Sequence, residues 1–185
     1  MVVGPDFTRL MRPDETDDVD TLLRAAFPGP QEAELVRALR RDGVLWREAV
    51  LPWSGHIGAY AALSWMVQPT DWMCLGPVAV RPEWQRGALW DGQIALGSKA
   101  HWRFGTCLVG GLADLFLSRW PDPPVGFATT LVVIGNPSFY ERCGFSRARA
   151  ARLTSPYPRS QTMIARRGDD VPEATLVYPA AFNGI

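Results

Sequence analysis

Over Phe7-Thr8-Arg9-Leu10-Met11 the side chains alternate between apolar and polar, the period of a strand. Arg12-Pro13-Asp14-Glu15-Thr16 then turns the chain, and Val19, Leu22, Leu23, Ala26 and Phe27 recur at helical spacing. Pro28-Gly29-Pro30 breaks that helix. A second helix follows with Ala33, Leu35, Val36 and Leu39 on one face, and it ends at Gly43. Residues 44–51, 57–64 and 71–80 read as three strands joined by turns at Pro52-Trp53-Ser54-Gly55 and Val67-Gln68-Pro69-Thr70, an antiparallel meander. The pattern next predicts a helix over 108–120, a strand over 128–134, a short helix, a strand over 145–153 and an edge strand at 176–178. Residues 166–172 are the only linker-like stretch, and no repeat is present. This order of elements implies one α/β layered domain built on a mixed sheet, spanning 1–185.

The stretch 131–145 is the densest in chemistry. Its β-branched run Leu131-Val132-Val133-Ile134 reads as a buried strand. Asn136 before Pro137 pairs an N-cap acceptor with a proline at the first helical position, and Gly144 supplies the positive-φ stop. Asn136 and Tyr140 are thereby held on one rim of the sheet, where a ligand could reach an amide and a phenol together.

Composition narrows the function classes. With 47% hydrophobic residues the chain can bury a full core. Lys plus Arg equals Asp plus Glu at 19 each, so no net basic field recruits nucleic acid or an anionic membrane. Lys99 is the only lysine, and nearly all positive charge is arginine. Cys74, Cys107 and Cys143 are odd in number and lack metal-ligand spacing, so no metal site is expected. The first ten residues carry no apolar leader and no run approaches the roughly 20 apolar residues of a membrane span, which points to a soluble cytoplasmic protein.

Three further segments, read with 131–145, carry a family resemblance. Leu75-Gly76-Pro77-Val78-Ala79-Val80-Arg81-Pro82-Glu83-Trp84-Gln85-Arg86 resembles the fourth strand and following loop of the GCN5-related N-acetyltransferase (GNAT) family. Ser155-Pro156-Tyr157-Pro158 and Tyr178-Pro179-Ala180-Ala181-Phe182 resemble the tail of its bacterial YhbS-like branch. The resemblance implies a mixed, mostly antiparallel central sheet with helices on both faces and a splayed parallel pair of strands. It implies acetyl-CoA as co-substrate, with main-chain groups of Val78, Ala79 and Val80 pairing with the pantetheine arm. Tyr140 matches the family tyrosine whose hydroxyl faces the sulfur and can donate a proton, and Asn136 matches the residue that hydrogen-bonds pantetheine.

The family's phosphate loop, Q/R-x-x-G-x-G/A, is not kept contiguously. Read without a gap, Gln85-Arg86-Gly87-Ala88-Leu89-Trp90 puts Trp90 where the phosphates need space. Read with a gap, Gln85, Arg86 and Gly87 continue at Arg103, Phe104, Gly105 and Thr106, and 88–102 becomes an insertion. The gapped register is preferred because it gives the following helix a proper apolar face, although Arg103 then stands where the family has its first glycine. Glu32, Glu34 and Glu83 are the candidate general bases, and a solvated charge is the simpler reading of each. His56 and His101 fit a turn and the insertion, and Cys143 fits a hydrophobic position of the motif. Trp65 and Trp72 flank the turn before the fourth strand and are candidates for an aromatic wall or an oligomer contact, a homodimer included. The expected activity is an N-acetyltransferase acting on a primary amine of a small molecule or peptide. The rival is a non-catalytic GNAT-like module with weakened CoA binding, motivated by the interrupted loop.

Overall fold

A computed structural model describes residues 8–53, 55–87, 104–117 and 128–184. The central sheet is built from β1 (Arg9–Leu10), β2 (Leu45–Trp53), β3 (His56–Trp65), β4 (Trp72–Val80), β5 (Thr130–Ile134) and β7 (Thr162–Arg166). Its strand order is β1-β2-β3-β4-β5-β7, antiparallel throughout except for the parallel pair β4 and β5. A separate parallel pair joins β6 (Leu153–Thr154) to β8 (Ala174–Thr175).

Helices cover both faces, which is why the inner strands read as continuous apolar runs rather than alternating ones. On one face α1 (Thr16–Ala26) and α2 (Gln31–Arg41) bury Val19, Leu22, Leu23, Ala33 and Val36 against Val50, Tyr60 and Ala62. On the other, α3 (Phe104–Leu117) buries Leu108, Val109 and Leu112 against Met73, Leu131, Val133 and Met163. β5 serves both layers: Leu131 and Val133 face α3, while Val132 joins Trp72, Cys74, Leu35 and Leu39 on the opposite side. That second layer is closed by the C-terminal segment through Leu176, Tyr178 and Phe182.

Most predicted elements are present, with three corrections. The expected strand over 145–153 is instead a single bridge from Ser146 to Ile164, a helical turn over Ala148–Ala150 and the short β6. The antiparallel partner of β5 is β7, which pairs Val132 with Ile164 and Val133 with Met163. The edge strand expected at 176–178 is reduced to β8 plus a bridge between Val177 and Gln68. The proposed insertion 88–102, Arg103 and His101 lie outside the described residues. α3 is already helical at Phe104, ahead of the start at 108 that periodicity predicts.

Candidate functional site

The site grows out of a defect in the sheet. β4 and β5 pair at Trp72 with Thr130, Met73 with Leu131 and Cys74 with Val132, and the ladder stops there although both strands continue. On its other edge β4 carries a bulge: Leu63 pairs with Leu75 and Ala61 with Val78, so β4 holds one residue more than β3 at Gly76-Pro77. The bulge bends β4 away from β5 and opens a gap in the middle of the sheet.

Alternation of the ladder decides which main-chain groups face that gap. The Arg81 N–H donates to the Gly58 carbonyl at 3.0 Å, which makes Gly58 and Arg81 a hydrogen-bonded pair. Two residues on, Tyr60 and Ala79 form the next such pair, so the main-chain groups of Ala79 are used within the sheet. Those of Val78 and Val80 point the other way, into the gap. The Val80 carbonyl already accepts a hydrogen bond from the Gln85 side-chain amide at 2.9 Å. Of the three residues expected to present backbone, Val78 is therefore the one whose N–H and C=O both face the gap without a hydrogen bond to another described residue.

Two cavities lie along the gap, of about 610 and 420 Å³, and both are lined by Phe27, Val78 and Tyr140. The larger one adds Val80, Gln85, Phe104, Gly105, Thr106 and Arg142. There Phe104 stacks on Trp84 with ring centroids 5.1 Å apart, over Gly58, where an added Cβ would come within 2.9 Å of both rings. At Gly105, which the gapped loop reading takes as its last small position, an added Cβ would sit 3.2 Å from Phe139 and from Val80. Arg86 and Gly87 close the helical turn Pro82–Gly87 after β4, and the Arg86 side chain is outside the described ones.

Tyr140 stands where the cavities meet. It ends the short helix α4 (Pro137–Tyr140), whose cap is the one predicted: Asn136 Oδ1 accepts from the Ser138 N–H at 2.9 Å, and Gly144 stops the following turn at φ +92°. The Tyr140 ring sits edge-on to Phe139 and Phe145, with centroids 4.8 and 5.8 Å away. Gly135 lets the ring lie against the backbone, since a Cβ there would be 2.5 Å from Tyr140 Cε2. Burial pushes the Tyr140 hydroxyl above the ordinary tyrosine range. It stays protonated at neutral pH and makes no hydrogen bond to a described residue. Replacing Asn136 by Ala should cost about 1 kcal/mol through loss of the cap, read as a lower midpoint in urea unfolding at unchanged slope.

The remaining candidates separate cleanly. Glu32 lines the smaller cavity with Leu35, Tyr157 and Phe182. Glu34 faces a different groove with Arg37 and Arg41, and the exposed Glu83 pairs with Arg81 at 3.4 Å. His56 is exposed at the start of β3. Trp72 belongs to the core at the closed end of the β4 and β5 pair, and Trp65 packs edge-on against Trp46, so neither walls the cavities. Cys74 lines the smaller cavity but is buried, which pushes its thiol up to about 12 and leaves it unsuited as a nucleophile. Among the described residues no cluster of His, Cys, Asp and Glu could hold a metal, and no helix is long and apolar enough to cross a membrane. Sequence reasoning gave no site role to Phe27, Trp84, Arg142, Tyr157 or Phe182. The break at Pro28-Gly29-Pro30 and the tail motif were the signals that could have found the first and the last two.

No family model matches the chain. The N-acetyltransferase YhbS of Escherichia coli K12 is 27% identical over 168 residues, covering 88% of this chain and 87% of its own. The crystal structure of YhbS from Escherichia coli in complex with CoA superposes with a TM-score of 0.70 at 25% identity, covering 99% of this chain and 96% of that one. A GNAT family acetyltransferase from Brucella melitensis in complex with acetyl-CoA gives a TM-score of 0.62 at 23% identity, covering 95% and 97% of the two chains. The mixed six-stranded sheet with its parallel β4 and β5 pair and helices on both faces is thus the GNAT acetyltransferase fold. In sequence and structure the chain is similar to the YhbS-like branch of the GNAT acetyltransferases.

Proposed function

We propose that this protein transfers an acetyl group from acetyl-CoA to a primary amine of a small molecule or peptide. The observation that carries the reading is the parting of β4 from β5 beyond Cys74 and Val132, with Tyr140 set where the two resulting cavities join. The residues fit a CoA thioester. Val78 offers an N–H and a C=O to the gap as an edge strand would, which suits the amides of a pantetheine arm. Phe104, Gly105 and Thr106 line the larger cavity, and Arg142 adds an exposed cation to it. Bound acetyl-CoA supplies an activated acetyl group and a thiolate leaving group. The neutral amine, oriented from the smaller cavity, forms the N–C bond as the C–S bond breaks; Tyr140 gives its hydroxyl proton to the leaving thiolate and regains the proton that the acylated nitrogen sheds. The buried Cys74 and Cys143 thiols and the exposed Cys107 are all free, in keeping with a reducing cytoplasm.

A second reading has one observation in its favour. The Val80 carbonyl is taken by Gln85, which leaves less free backbone for a cofactor and suits a GNAT-like module with weakened CoA binding. Thermal unfolding with acetyl-CoA and with desulfo-CoA separates the two. A ligand at 100 times its Kd adds about 2.7 kcal/mol, a rise of several degrees. That rise, together with thiol release when amines are added, is the expected result. No shift at millimolar acetyl-CoA would favour the module.

A further inference from the structure

The smaller cavity has a lining of unusual contrast. Phe27, Tyr140, Tyr157 and Phe182 give it four aromatic side chains, Leu35 and Ile134 add aliphatic surface, and Glu32 is the only charged residue among the described residues that line it. Glu32 is half-buried in the first turn of α2, a favourable end of a helix for a carboxylate, and no cation among the described residues pairs with it. Tyr157 donates its hydroxyl to the Phe182 carbonyl at 3.0 Å, which fixes these two residues relative to each other. An unpaired carboxylate that shares a cavity with aromatic rings is a site for one ammonium group attached to an apolar body: the carboxylate accepts its N–H bonds and aromatic faces attract its charge.

We propose that the acceptor is a small monocationic primary amine with an aromatic or alkyl body, bound as its ammonium by Glu32, which takes the proton the nitrogen must lose before it attacks, with its body against Leu35, Tyr157 and Phe182. The proposal rests on the acetyl-transfer reading above and names the substrate class of that same site. Polyamines and amino sugars carrying several ammonium groups fit poorly, because a second buried cation would have no carboxylate to meet. α-Amino acids fit poorly for the mirror reason: Arg142 lines the other cavity, and no cation lines this one among the described residues. A volume of about 420 Å³ lies at the small end of ligand sites, which favours a small molecule over a peptide.

The test is calorimetric titration of the full chain with 2-phenylethylamine, alkylamines of increasing length, spermidine, a lysyl peptide and the uncharged 2-phenylethanol, with acetyl-CoA binding measured in parallel. 2-Phenylethylamine is expected to bind more tightly than spermidine or the lysyl peptide. Each added methylene in the alkyl series should tighten binding about threefold to fourfold. Glu32→Gln should weaken 2-phenylethylamine about ten- to a hundredfold, since it removes a charge-assisted bond, and should leave 2-phenylethanol unchanged. Absence of 2-phenylethylamine binding, an unchanged affinity in Glu32→Gln, or preferred binding or acetylation of spermidine or the lysyl peptide would overturn the proposal while leaving acetyl transfer intact. Glu32-dependent binding of 2-phenylethylamine by a protein that does not bind acetyl-CoA would support the amine site and remove the acetyl-transfer reading instead.

Discussion

Tyr140→Phe is expected to slow acetyl transfer about 10²- to 10⁴-fold, the usual contribution of one positioned acid, while acetyl-CoA affinity stays within about twofold. The asymmetry follows from what the substitution removes. The ring keeps its edge contacts with Phe139 and Phe145 and its seat on Gly135, so the wall shared by both cavities is preserved. Only the hydroxyl is lost, and it makes no hydrogen bond to a described residue that would be broken. The pH dependence has a sign as well. The acid works in its protonated form, and burial raises its pKa above the ordinary value of 10. Tyr140 should therefore cause no loss of kcat as pH rises through 9 or 10. Gly135→Ala is the companion variant: its Cβ would fall 2.5 Å from Cε2 and must displace the ring, so it should lower kcat while the hydroxyl remains present. Steady-state kinetics beside direct acetyl-CoA titration read both effects. An unchanged kcat in Tyr140→Phe with an identified amine would take Tyr140 out of the chemistry.

What could be read from the sequence depended on whether the cause was local. The Asn136 cap, Pro137 and the Gly144 stop are decided by backbone preferences within a few residues, and they stand as predicted. The two helices on one face were equally legible, because an amphipathic stripe is written in consecutive turns. The strand expected over 145–153 failed for a reason that sequence pattern hides. Its alternating arginines and small residues imitate an edge strand, but the Arg149 guanidinium donates to the main-chain carbonyls of Arg166, the last residue of β7, and of Arg167 and Asp170 beyond it. The Arg149 N–H meanwhile binds Ser146 Oγ at 3.2 Å and folds the segment into a turn. β7 itself is short, lies just after Pro156 and Pro158, and is buried on both faces, so neither length nor alternation announced it. The bulge at Gly76-Pro77 is likewise a property of two strands in register, and it is what sends Val78 rather than Ala79 toward the gap.

The largest stability effect is expected away from the cavities, at Glu48 on β2. Its carboxylate accepts from Arg40 Nε and Nη2 at 3.0 and 2.5 Å and from the Tyr60 hydroxyl at 2.7 Å. The three residues tie α2 to β2 and β3, and α2 is the helix that brings Glu32 to the smaller cavity. Tyr60 is fully buried, and burial, reinforced by the Glu48 charge, pushes its hydroxyl well above the ordinary range. Glu48→Ala strands a buried hydroxyl and an arginine charge at once. Breaking a buried pair from one side costs about 3–5 kcal/mol, and the lower end applies here because the Arg40 side chain keeps 24% of its surface exposed. A loss of about 3 kcal/mol is thus expected in urea unfolding. Removing every polar member together, as Arg40→Met with Glu48→Leu and Tyr60→Phe, should recover most of that loss, since no charge or hydroxyl is then left without a partner. The comparison isolates the cause: a Glu48→Ala loss below about 1 kcal/mol, or a triple variant weaker than Glu48→Ala, would show that packing rather than this carboxylate holds α2 on the sheet.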